Sequence, residues 1–107
     1  MLEVATKENF VRLVSDGNAS GKLVVVDCYA DWCFPCKKLT PVLEDLSQTM
    51  PEVKFLTLNI EEHAEVAATY SVRSIPTLLC FKGGQLVDTI SGFAPKAVLE
   101  EKFRKHV

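Results

Sequence analysis

Cys33 and Cys36, held two residues apart in Trp32-Cys33-Phe34-Pro35-Cys36-Lys37, are the pair whose type and spacing can do chemistry. A cysteine thiolate attacks disulfides. A second sulfur one helical turn further on can then close a small ring with the first. Two other uses of the spacing compete with this one. A zinc site needs four ligands, usually as two clustered pairs. The remaining candidates are Cys28 and Cys80, inside apolar runs, and His63 and His106, which stand alone, so no metal is expected. A purely structural disulfide would close so small a ring that it constrains little of the unfolded chain. Redox exchange is the preferred reading.

The flanking elements decide which sulfur attacks. Leu23 to Ala30 is apolar on both alternating faces apart from Asp27, as expected of a central strand covered on both sides. After the motif, Leu39, Val42, Leu43, Leu46 and Met50 recur at helical spacing. The pair thus stands where a buried strand meets the start of a long helix. There the free N–H groups and the helix dipole favour a thiolate. Cys33, nearest the helix start, is the expected nucleophile and Cys36 the resolving thiol. Pro35 suits the first helical turn, where a missing N–H costs little. Pro41 falls inside the pattern and predicts a kink rather than an end. Lys37 and Lys38 read as ordinary solvated helix residues. Asp27, a lone acid in an apolar strand, should have a raised pKa and be poised for proton transfer.

The rest of the chain supplies the frame. A short strand at Leu2–Ala5 precedes a helix carrying Phe10, Leu13 and Val14, and residues 16–21 form the most loop-like stretch. Val53–Ile60 reads as a second buried strand and Glu62–Tyr70 as a shorter helix. Thr77–Phe81 and Leu86–Ile90, joined by Lys82-Gly83-Gly84-Gln85, read as a hairpin. Pro95 opens a last helix whose Val98, Leu99 and Phe103 can face the core. The order β-α-β-α-β-α-β-β-α allows parallel early strands with an antiparallel hairpin added. The expected class is α/β: a three-layer sandwich with a mixed central sheet, in a single domain over residues 1–107.

Composition narrows the partners. The 107 residues carry a net charge of −2 with no basic run, so nucleic acid is not expected. The apolar stretch Leu23–Val26 is far below the roughly 18 residues of a spanning helix, so no membrane role is expected either. Met1–Glu8 shows no basic region followed by an apolar one, and Cys-x-x-Cys without an export signal favours a cytoplasmic protein, taken to be a monomer.

The run Val25–Lys37 resembles the active-site segment of thioredoxins. Ser74-Ile75-Pro76-Thr77-Leu78 is similar to their cis-proline loop, and Phe81-Lys82-Gly83-Gly84 with Ser91-Gly92 to their C-terminal glycine pattern. Pro41 also falls where the family's kinked helix carries proline. The resemblance implies a thioredoxin-like fold and a dithiol reductase acting on disulfide-containing client proteins. It implies no cofactor beyond the Cys33–Cys36 pair, which a thioredoxin reductase using NADPH would recharge. It further implies that Asp27 exchanges a proton with Cys36 and that Pro76 is cis. Ile75 would offer its backbone to a substrate strand, with Trp32, Ile75, Gly92 and Phe93 as the apolar docking surface. Phe34 stands where the commonest members have glycine, and its ring enlarges that surface. Thr57 stands where many bacterial members have a lysine near the buried acid. Cys28 and Cys80 read as small hydrophobes.

Overall fold

The structure, a computed structural model, describes residues 2–15 and 21–107. Five strands and four helices are found among the described residues. They alternate as β1 (Glu3–Val4), α1 (Phe10–Val14), β2 (Leu23–Tyr29), α2 (Phe34–Thr49), β3 (Val53–Asn59), α3 (Ala64–Thr69), β4 (Thr77–Lys82), β5 (Gln85–Ser91) and α4 (Lys96–Arg104). The sheet order is β1-β3-β2-β4-β5. β3 runs parallel to both β1 and β2, while β4 is antiparallel to β2 and β5. This is the mixed sheet expected from helical crossovers followed by a hairpin.

β2 is central because its residues leave no polar face. Leu23 through Cys28 are all buried. Alternation sends Leu23 and Val25 to one side, against Leu39, Leu43 and Leu46 of α2 and Leu99 and Phe103 of α4. Val24, Val26 and Cys28 point to the other side, where Phe10, Leu13 and Val14 of α1 and Val66 of α3 cover them. In that second core Phe10, Tyr70 and Phe81 meet in tilted and edge-to-face pairs at 5.2–5.7 Å. No helix among the described residues is long and apolar enough to cross a membrane.

Several expectations are corrected at the edges of elements. The loop expected over 16–21 lies, apart from Gly21, outside the described residues. The first strand pairs over two residues rather than four, and the helix expected from Glu62 begins at Ala64. Asn59 explains that delay, since its Oδ1 accepts the N–H of Glu61 at 2.9 Å and of Glu62 at 3.4 Å, holding a turn ahead of the helix. The hairpin closes more tightly than expected. Lys82 pairs with Gln85, leaving Gly83 and Gly84, both at positive φ, as a two-residue turn. Register shifts between Cys80 and Phe81, so Val87 bulges from the edge strand, a device that discourages edge-to-edge pairing. α2 passes through Pro41 without ending.

Val98 was expected to face the core and does not: it is 44% exposed, while Leu99 and Phe103 are fully buried. One residue is about 100° round a helix, so only the i, i+4 pair can share the buried stripe. Leu99→Ala should therefore cost about 2–5 kcal/mol and Val98→Ala no more than about 0.5 kcal/mol. Denaturant midpoints of the two variants check this, and similar losses for both would refute the assignment of faces.

Candidate active site

The path from β2 into α2 is a tight turn. The N–H of Cys33 donates to the Ala30 carbonyl at 3.2 Å, and Cys33 becomes the N-cap of α2. Its sulfur does the work an N-cap oxygen normally does: Sγ accepts the Cys36 N–H at 3.2 Å. Pro35 in the first turn has no N–H to leave unpaired. Cys33 and Cys36 are joined in a disulfide with Cα atoms 5.2 Å apart, so the structure holds the oxidised form. Both are nearly buried, at 4% and 2% exposure. Of the two, only Cys33 Sγ receives a helix-end N–H, and that donor with the helix dipole would stabilise a thiolate there after reduction.

Asp27 lies two residues beyond Val25 on the same face of β2, the face that α2 covers, and towards the strand end from which α2 departs. It is 1% exposed and neither carboxylate oxygen has a hydrogen-bond partner. Burial alone pushes its pKa up to about 7. Its register neighbours are Thr57 on β3 and Leu78 on β4, so no cationic residue flanks it along the sheet.

The Ile75–Pro76 peptide is cis and Ile75 packs against the two active cysteines. This loop is tied down twice. Thr77 Oγ1 donates to the Ser74 carbonyl at 2.6 Å, and the Gly92 N–H donates to the Pro76 carbonyl at 2.8 Å. Gly92 sits at φ +85 with open space where a Cβ would project, so its backbone conformation, not crowding, is what calls for glycine. Around the disulfide stand exposed apolar side chains: Trp32 at 68%, Phe34 at 70% and Phe93 at 43%. All ten residues singled out from sequence thus gather at the end of the molecule where β2 meets α2.

Two contacts of the site are not foreseen from the sequence, one at Glu61 and one at Lys38, which reads there as a solvated lysine. Glu61 Oε2 accepts the Trp32 indole N–H at 2.8 Å, a contact between residues far apart in the chain. Lys38 extends over aromatic rings rather than into bare solvent; its i, i+4 spacing from Phe34 was the available signal. The free cysteines Cys28 and Cys80 are fully buried on opposite faces of the sheet. Desolvation, mainly, pushes each thiol up to about 12. From opposite faces they cannot join Cys33 and Cys36 in one tetrahedral metal site.

A family model described as thioredoxin matches residues 1–105. The chain is 42% identical to a thioredoxin of Bacillus subtilis over 104 residues, covering 96% of this chain and 95% of that one. It is 41% identical to a thioredoxin of Chlamydia pneumoniae over 106 residues, 99% of each. Among solved structures, Fasciola hepatica thioredoxin superposes with a TM-score of 0.89 at 36% identity, covering 99% of this chain and 100% of that one.

The unpartnered carboxyl makes stability pH-dependent. Because the folded state holds the Asp27 proton up to about pH 7 and an ordinary carboxyl releases it near 3.8, the folded form binds more protons across that window. Stability attributable to Asp27 therefore falls as pH rises from 3.8 to 7, by a total of about 4 kcal/mol, and is level outside it. Asp27→Asn should remove this slope. The disulfide form of the variant should gain about 4 kcal/mol on the parent between pH 4 and 8. Denaturant unfolding across pH measures it; parallel curves for the two proteins would disprove the assignment.

Proposed function

The chain belongs to the thioredoxin family and is a protein-disulfide oxidoreductase, and on that premise we propose that it acts as a dithiol reductase with Cys33 attacking and Cys36 resolving. The single observation that carries the assignment is the Cys36 N–H directed at Cys33 Sγ at the start of α2.

In the reduced protein the Cys33 thiolate attacks one sulfur of a client disulfide. A Cys33–client bond forms, the client S–S bond breaks, and the first client thiolate leaves. Cys36 then gives its proton to the Asp27 carboxylate, attacks Cys33 Sγ and expels the second client thiolate. Two electrons pass to the client and the Cys33–Cys36 disulfide remains. Asp27 suits the proton step because its displaced pKa of about 7 lets it accept and return a proton near neutral pH. Cys36 shares the buried stripe of α2 with Leu39, Leu43 and Leu46, which pack on the sheet.

Disulfide-containing proteins are the substrates and a reductase is the general partner of the family. The finer reading is that the disulfide is recharged by a thioredoxin reductase drawing on NADPH, with no resident cofactor. Client segments would dock as an added strand along Ile75 and Pro76, over Trp32, Phe34, Pro35, Gly92 and Phe93. The exposure of Trp32, Phe34 and Phe93 around a nearly buried disulfide supports that docking. A cytoplasmic location, a monomeric state and a single domain over 1–107 complete the reading.

Trapping tests the roles. Cys36→Ser should attack a protein disulfide and accumulate as a mixed disulfide by mass spectrometry, whereas Cys33→Ser should trap nothing and turn nothing over. The reverse outcome would exchange the roles.

Asp27→Asn should slow breakdown of the mixed disulfide by about 10–100-fold near neutral pH while leaving the first attack within a few-fold, since Asn cannot take the Cys36 proton. Single-turnover rates across pH separate the two steps. Equal breakdown rates in variant and parent would confine Asp27 to its effect on stability.

A further inference from the structure

Beside the disulfide stands a cation that the exchange chemistry does not use. Lys38 Nζ lies 5.8 Å from the centroid of the Phe34 ring and 5.4 Å from that of Phe93. Phe34 is reached one helical turn back along α2, and Phe93 follows Gly92 beyond the end of β5. Both rings are exposed, at 70% and 43%. Like Lys37 beside it, Lys38 has no carboxylate at ion-pair distance among the described residues; what sets it apart is its place over two exposed rings. The acidic groups at this end lie elsewhere: Glu61 takes the Trp32 indole, and Asp31 and Glu62 act on Tyr29. The mouth of the site thus has an aromatic, cationic flank at Phe34–Lys38–Phe93 and an acidic one beside Trp32.

We propose that Phe34, Lys38 and Phe93 form a docking clamp selecting client segments that carry a carboxylate side chain, with an apolar neighbour, next to the disulfide cysteine. This rests on the reductase reading above and names its substrate class. A cation over an exposed ring is held weakly while water solvates both; covering the rings removes that water and strengthens the attraction. The same cover also desolvates the ammonium, which then needs a counter-charge. A neutral apolar segment satisfies the rings and strands the charge. A basic segment adds repulsion. An acidic–apolar segment satisfies both, and the flank discriminates against the other two.

The test uses three disulfide-linked peptide dimers, acetyl-Gly-Cys-X-Leu-amide with X as Glu, Gln or Lys. Each rate constant with the reduced protein is divided by that of the same peptide with dithiothreitol, which removes the effect of X on its own sulfur. The Glu peptide should react about five- to tenfold faster than the Lys peptide, with Gln between, and the ratio should shrink as salt rises to about 0.5 M. Lys38→Gln should bring the ratio to about one, Lys38→Glu should invert it, and Phe93→Ala should reduce it. The ratio is the readout because a change in Cys33 reactivity would alter all three rates alike. Equal normalised rates for the three peptides, or a preference that survives Lys38→Gln, would overturn the clamp. Insulin, a disulfide-containing protein, separates the two levels. Its reduction alongside a flat peptide ratio sinks the clamp alone, and failure to reduce it sinks the reductase reading and the clamp together.

Discussion

Coverage of β2 on both faces is the constraint from which the site follows, because a strand with no solvent side must lie mid-sheet and deliver whatever follows it to one fixed place. Val25 is held by α2 and α4, and Val24 and Val26 by α1 and α3, so the direction in which the chain leaves Tyr29 is set by two cores at once. The turn from Ala30 to Cys33 and the start of α2 inherit that rigidity. In open α/β sheets the carboxyl ends of central strands are where helix N-termini gather, and with them the unpaired N–H groups that stabilise negative charge. A sulfur placed at that point needs little else to become reactive.

The same burial has an opposite effect on Asp27. A helix start lowers the cost of charge at Cys33, while the dry interior raises it for a carboxyl on the strand beneath. The two groups thus differ in the form their surroundings favour: the helix start stabilises an anion at Cys33, while burial leaves Asp27 able to take up and release a proton near neutral pH. That separation lets one short segment, from Asp27 to Cys36, supply both a nucleophile and a proton acceptor. Without a register neighbour of positive charge, Asp27 takes its displacement from desolvation and not from pairing.

Most of the sheet and the core of the site were legible in the sequence because they depend on short-range pattern. Unbroken apolar runs marked β2, the i, i+4 stripe marked α2, and the Gly-Gly pair marked the hairpin. Cys33, Cys36 and Asp27 could be read within ten residues of each other. What was not legible depends on distance along the chain or on angle. The Trp32–Glu61 hydrogen bond joins residues 29 apart, and no local pattern encodes it. Val98 is apolar and next to Leu99, yet a hundred degrees of helix rotation leaves it outside. Lys38 looks like any solvated lysine until Phe93, from beyond the far edge of the sheet, is brought beside it. Ile75, Pro76, Gly92 and Phe93 came from the family resemblance and not from periodicity, since loops carry no repeat to read.

Cys28 and Cys80 are sealed on opposite faces of the sheet with thiols pushed up to about 12, out of reach of each other and of solvent. The molecule therefore has one accessible two-electron couple and no internal route for shuffling its bonds. An alkylating reagent applied to the reduced, folded chain reacts first at Cys33; Cys28 and Cys80 become visible only when the cores open. The four thiols of one small chain thus form two separate ledgers, one recording redox state and the other recording whether the protein is folded.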